Sequence, residues 1–123
     1  MQYQEITEKI IGCAYQVYNQ MGYGFLESVY EKCLLIELRH ADLKVERQHP
    51  ITVHYAGEVV GEFVADLVVN GAVIVELKSV RRIIKAHEVQ LVNYLVATKM
   101  EVGLILNFSE KEVEVNRKVR SLT

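Results

Sequence analysis

Residues 61–80 read GEFVADLVVNGAVIVELKSV, and the alternation in this stretch decides how the chain is built. Two runs rich in β-branched residues flank Asn70-Gly71, a dipeptide that favours a tight hairpin turn. Side chains along a strand alternate between faces. Phe63, Ala65, Leu67 and Val69 on the first run, and Val73, Val75 and Leu77 on the second, are therefore two odd-numbered apolar sets expected on one face. A two-residue turn would pair Val69 with Ala72 and send Glu76 to the face opposite Asp66. A three-residue loop, Asn70 to Ala72, pairs Val69 with Val73 and sets Asp66 across from Glu76. Only this register, or one of equal parity, lets the apolar sets coincide. It gathers Glu62, Asp66, Glu76 and Lys78 on the other face, with Val64, Val68 and Ile74 packing among them.

Two carboxylates opposed across a strand pair repel each other, so a cation belongs between them. Hard oxygen donors of this kind suit Mg²⁺ or Mn²⁺, which take one or two carboxylates and fill their remaining positions with water and substrate phosphate. Lys78 shares a strand face with Glu76 and lies beside such an ion. Its amine can hold or help deprotonate an attacking water and balance charge at a phosphate. Asp66 and Glu76 as metal ligands, with Lys78 completing the catalytic set, point to metal-assisted phosphodiester hydrolysis.

The elements on either side fall into place around this hairpin. Ile6, Ile10, Cys13, Ala14, Val17 and Met21 recur at helical spacing over residues 4–21, and Gly22-Tyr23-Gly24 stops the run. A second helix is predicted from Phe25 to about His40. Strand-like runs follow at Leu43–Gln48 and Ile51–Tyr55, with His49-Pro50 at a bend or an edge, and a turn at Tyr55–Glu58. The central strands are then Glu58–Val69, bent or bulged at Gly61, and Ala72–Val80. A third helix is predicted from Arg81 to about Lys99, then a nearly all-apolar strand at Val102–Phe108 and a last alternating run to Val119. The order α-α-β-β-β-α-β(-β) describes an α/β fold with a mixed central sheet flanked by helices. A right-handed crossover makes the strands before and after the third helix parallel. No linker or repeat interrupts residues 1–123, so one domain is expected.

Half of the 123 residues are apolar, with one proline and seven glycines, which excludes disordered, collagen-like and low-complexity classes. Fourteen Lys and Arg against sixteen Asp and Glu give a net charge of -2, so any nucleic-acid binding must come from a local basic patch or from bound metal. No run approaches the ~18 apolar residues of a membrane span, and MQYQEITEKI lacks the pattern of a secretory signal. A cytoplasmic protein with no membrane partner is expected. Cys13 and Cys33 have no second cysteine or histidine at ligand spacing and are expected to be reduced and buried.

Asp66 followed by Glu76-Leu77-Lys78 resembles the PD-(D/E)xK nuclease superfamily, with Ala65 standing where the full motif has proline. Gly24-Phe-Leu-Glu27-Ser-Val-Tyr30 resembles the signature of the bacterial GxxExxY family, grouped with these nucleases. Gln90-Leu-Val-Asn-Tyr94 resembles the QxxxY motif of RecB-type and λ-exonuclease-like members. The resemblance covers essentially the whole chain and implies a restriction-endonuclease-like core. It further implies that Glu27 extends the metal site and that Leu77 lends its backbone carbonyl as a ligand. Gln90 would support the lysine or a metal water, and Tyr94 would touch the nucleic acid, DNA before RNA. Gln90 and Tyr94 are one helical turn apart and can approach one site.

Each residue also has a plainer reading. Glu27 serves equally as a helix N-terminal charge, Tyr30 as a core aromatic, and Tyr94 as either core or contact. His87, one turn before Gln90, is either a phosphate contact or proton carrier in the cleft or a packed, hydrogen-bonded histidine. Arg81, Arg82 and Lys85 are placed to grip phosphates without reading sequence, or are simply solvated. The alternative function is a catalytically inactive nuclease-fold module that binds nucleic acid or a protein partner. A third reading, a solvated acidic sheet face, predicts no metal binding. A homodimer is a candidate assembly for so small a chain.

Overall fold

A computed structural model of the chain describes residues 3–120. Helices α1 (Gln4–Met21) and α2 (Glu27–His40) lead into strands β1 (Val45–Tyr55), β2 (Glu58–Val69) and β3 (Val73–Lys78). Helix α3 (Lys85–Thr98) then crosses to β4 (Val102–Phe108), and β5 (Val113–Val119) closes the sheet. The strands lie in the order β1-β2-β3-β4-β5, and β3 with β4 forms the parallel pair, as the crossover requires. This is the expected mixed sheet flanked by helices.

Each sheet face has its own core. Ile10, Ala14 and Val17 of α1 and Tyr30, Leu34 and Leu38 of α2 pack on Leu67, Val69, Val75, Leu104 and Phe108. Leu91, Tyr94 and Leu95 of α3 pack on Ala65, Val68, Ile74 and Ile105. Strand β4 is buried along its whole length because alternate residues serve the two cores, which explains its unbroken apolar run.

The hairpin register is the one its apolar pattern demands: Val69 pairs with Val73, Val68 with Ile74 and Leu67 with Val75. Asn70 and Gly71 both adopt positive φ, 54° and 63°, and Ala72 donates its N–H to the Val69 carbonyl, making the three-residue turn. One premise of the register argument is nevertheless corrected. Leu67 and Val69 face α1 and α2, whereas Ala65 belongs to the α3 core and Phe63 lies against Tyr94. The change of face occurs at Asp66. There β1 and β2 pair Arg47 with Leu67 and His49 with Ala65, leaving Gln48 and Asp66 between them outside the ladder. Gln48 takes φ 55°, and β1 changes face with β2, Val45 packing on one core and Ile51 sitting in the other. Such an irregularity bends a strand and sharpens its twist, so the β1–β2 ribbon turns as a unit. Val64 is consequently 45% exposed and packs nothing among the acids, and Glu62 is exposed as well.

Other boundaries also shift. β1 runs unbroken through His49-Pro50, which a proline allows because β1 is an edge strand. Val53 pairs with Gly61 and His54 with Val59, so the extra residue is Val60, one position before the expected Gly61. Helix α2 begins at Glu27 rather than Phe25, β3 is confined to Val73–Lys78, and α3 begins at Lys85 rather than Arg81.

Helix α3 is seated by a single glycine. A Cβ on Gly103 of β4 would come within 2.7 Å of Leu91 Cδ1. Gly103→Ala is therefore expected to lower stability by about 1–3 kcal/mol through overpacking, read as a lower urea midpoint. An unchanged midpoint would mean that α3 can ride outward without cost.

Candidate active site

Beyond the Leu67–Val75 pair the ladder between β2 and β3 gives way to side chains. Asp66 donates its backbone N–H to Glu76 Oε2 at 2.9 Å, and Leu77 donates its N–H to Asp66 Oδ2 at 2.8 Å. Each carboxylate thus binds the backbone of the opposite strand. Asp66 Oδ1 and Glu76 Oε1 have no hydrogen-bond partner among the described residues, and neither is a sealed, unpartnered atom. Both are available to a ligand.

Glu76 is only 6% exposed. Burial, followed by the charge of Asp66, pushes its carboxyl up to about 8, against the opposing pull of the Asp66 N–H and Lys78. Asp66 is also raised, by burial first, with the Leu77 N–H working against it and Glu31 adding negative charge. A buried acid pair short of positive charge, with two outward oxygens, fits a hard divalent cation. Among the described residues no three Asp, Glu, His or Cys side chains converge on one point. The residues fit an open site, in which the two carboxylates would hold such an ion and leave the rest of its shell to other oxygen donors.

Lys78 ends β3, half-buried, two residues beyond Glu76 and on its face. It forms no ion pair among the described residues, yet its charge favours ionisation of both carboxyls. An ammonium near two acids but bonded to neither is free to meet a third species.

The α1–α2 turn docks on the end of β3. Gly22 and Gly24 take φ 72° and 111°, conformations that favour glycine. The Tyr30 hydroxyl closes the turn, donating to the Gly22 carbonyl at 2.6 Å and accepting from the Phe25 N–H at 3.3 Å. Its ring stacks on Phe108 with centroids 4.3 Å apart. Tyr30 is thus a core aromatic, as its plainer reading has it. Ser79 donates its hydroxyl to the Phe25 carbonyl and its N–H to Glu27 Oε2, at 2.8 and 3.2 Å. Glu27 therefore caps the strand next to Lys78. Its charge reaches Asp66 and Glu76, but it does not join them in a three-carboxylate cluster.

Sequence reasoning missed Glu31, one helical turn beyond Glu27. It is 6% exposed, accepts from Arg47 Nε at 2.6 Å, and from Gln48 Nε2 at 3.1 Å on both oxygens. It thereby ties α2 to the irregular point of β1 opposite Asp66. The usable signal was its i+4 spacing from Glu27. Asn107, fully buried in β4, was also missed. Its side-chain amide pairs with both backbone groups of Val80 at 2.9 Å, and Glu114 Oε1 accepts from Asn107 and from the Ile83 N–H. A lone asparagine in an apolar strand was the available clue.

Tyr94 of α3 packs in the core on the sheet face that α3 covers. It is 8% exposed, and burial, then the charges of Glu76 and Asp66, raise its phenol. Gln90 lies one turn earlier on the exposed side. His87 Nδ1 accepts from the Ile84 N–H at 3.1 Å, so this nitrogen caps α3. Arg81 and Arg82 are exposed in the bend before α3, and Lys85 is exposed as its first residue. The two arginines therefore do not open the helix.

A family model for the PD-(D/E)XK nuclease superfamily matches residues 4–119. No curated protein matches the chain. Among solved structures, one described as "Crystal structure of SSO0001" aligns with a TM-score of 0.65 at 18% identity, over 99% of this chain and 62% of that one. The chain spans about three fifths of that protein's length (62%), and at this identity the likeness is one of fold.

Proposed function

Since this chain belongs to the PD-(D/E)XK nuclease superfamily, we propose that it is a metal-dependent nuclease that hydrolyses phosphodiester bonds in nucleic acid, DNA being the first substrate to test. The observation that carries the reading is the opposed pair Asp66 and Glu76, each bonded through one oxygen to the backbone of the other's strand, with the Glu76 carboxyl pushed up to about 8 by burial and then by the charge of Asp66. We further place the chain in the GxxExxY group, near the RecB-type and λ-exonuclease-like branch. The support is the Gly24–Tyr30 turn that sets Glu27 against β3, and Tyr94, whose phenol is raised in part by the charges of both acids.

Asp66 Oδ1 and Glu76 Oε1 would hold Mg²⁺ or Mn²⁺, with the Leu77 carbonyl and Glu27, through water, in support. When bound, such an ion supplies positive charge against phosphate oxygens and acidifies water. As the neutral amine Lys78 takes the proton of the attacking water, and as the ammonium it orients that water, in either case from a position beside the acids and bonded to neither. Gln90 orients the lysine or that water, and Tyr94 positions the strand. Arg81, Arg82 and Lys85 hold flanking phosphates and contribute affinity that declines with salt. His87 acts by starting α3 and adds a phosphate contact only through Nε2.

Calorimetric titration of Mn²⁺ and Mg²⁺ into wild type and Asp66→Ala tests this reading, with cleavage of single- and double-stranded DNA and RNA followed in parallel. Loss of a carboxylate ligand is expected to weaken binding by about tenfold or more and to abolish cleavage. Wild-type protein that binds no metal and cuts nothing would instead be an inactive module that keeps the fold.

A further inference from the structure

A groove of about 920 Å³ runs between α3 and the β1–β2 ribbon. Gln90 and Tyr94 line it, and Tyr94 is the lining residue whose phenol feels the charges of Glu76 and Asp66. Phe63 faces them, 46% exposed, its ring centroid 5.9 Å from that of Tyr94. The change of strand face at Asp66 is what turns Phe63 toward α3. Val96 along the helix is 57% exposed and extends the apolar floor. In a chain of net charge -2, no carboxylate lines the groove, and its Lys99 and His54 are of basic type. An apolar, partly aromatic trough with basic groups, joined through Tyr94 to the proposed phosphodiester-cleaving centre, matches a chain whose backbone is anionic and whose bases present flat apolar faces.

We propose that the groove receives unpaired nucleotides of the strand being cut, with a base stacked on Phe63, so that the substrate class is single-stranded nucleic acid or a frayed end. Bases inside a duplex have both faces covered by neighbours and cannot offer one to Phe63. The inference rests on the nuclease reading for the fate of the strand, but strand binding itself requires no metal.

The test is fluorescence anisotropy in EDTA with a short labelled oligothymidylate, its duplex, and the same strand carrying an abasic residue. Wild type is expected to prefer the single strand. Phe63→Ala should weaken that binding roughly 5- to 100-fold, the abasic strand should lose by a similar factor, and Phe63→Trp should restore it. Phe63→Ala should leave Mn²⁺ binding unchanged. Equal single-strand affinity for wild type and Phe63→Ala, or a wild-type preference for duplex, would overturn the proposal. So would sedimentation showing a wild-type dimer that Val96→Glu converts to monomer, since the groove would then seat a second copy. Phe63-dependent strand binding by a protein that takes no Mn²⁺ and cuts nothing would uphold the groove and remove the nuclease reading alone.

Discussion

Exchanging Lys78 for methionine is expected to slow cleavage by about 10²–10⁴-fold while changing Mn²⁺ affinity by less than about tenfold. Methionine preserves much of the stem that packs at the end of β3 but has no group to take a proton. The separation of the two effects follows from the geometry. Lys78 is bonded to neither carboxylate, so its removal strips no ligand, although losing its charge leaves both acids somewhat harder to ionise. Lys78→Arg sharpens the test. A guanidinium restores the positive charge but does not give up its proton, so metal affinity should return while the rate stays low. A rate within about tenfold of wild type in the methionine variant would remove Lys78 from proton handling and leave it a role in charge balance.

The second large effect concerns stability without metal. The Glu76 carboxyl sits at about 8 in the folded chain against 4.5 as its ordinary value. Between these values the folded state keeps a proton that the unfolded state has released. Stability must therefore fall as pH rises from about 4.5 toward 8 and level off above. The loss is of order 3–5 kcal/mol, with Asp66, also raised, acting in the same direction. Glu76→Gln keeps an oxygen for the Asp66 N–H and carries no charge. In EDTA it should flatten this dependence and, near pH 9, melt higher than wild type by about 10 °C. Mg²⁺ should stabilise wild type and leave the glutamine variant nearly untouched. Parallel pH profiles for the two proteins would show that the acid ionises at an ordinary pH and that burial against Asp66 costs nothing.

The hairpin that carries the candidate site was legible because alternation leaves little freedom. Once Val69 and Val73 must share a face, Asp66 and Glu76 must meet. The same rule misplaced Phe63, Ala65 and Val64, because it assumes unbroken alternation and β2 breaks it at Asp66 itself. Nothing local announces that break. It arises where Gln48 takes a left-handed conformation on the neighbouring strand, held by Glu31 from α2, a contact between elements distant in sequence. Helix α3 was started four residues too early for a similar reason. Ile83 and Ile84 fit helical spacing, but Asn107 and Glu114 hold the backbone of Val80 and Ile83 in another conformation. The roles of Tyr30 and His87 depended on hydrogen bonds of the turn and the helix start, which residue spacing alone does not separate from packing or ligand contact.

The exchange of ladder bonds for carboxylate bonds between β2 and β3 makes the frame sensitive to what the site holds. The amides of Asp66 and Leu77 each donate to one acid of the pair, so whatever neutralises an acid also weakens a crosslink between two central strands. Those two amide protons are consequently a native gauge of occupancy. Their chemical shifts and solvent exchange rates follow protonation and ion capture directly, and they can be read by magnetic resonance before any substrate is known.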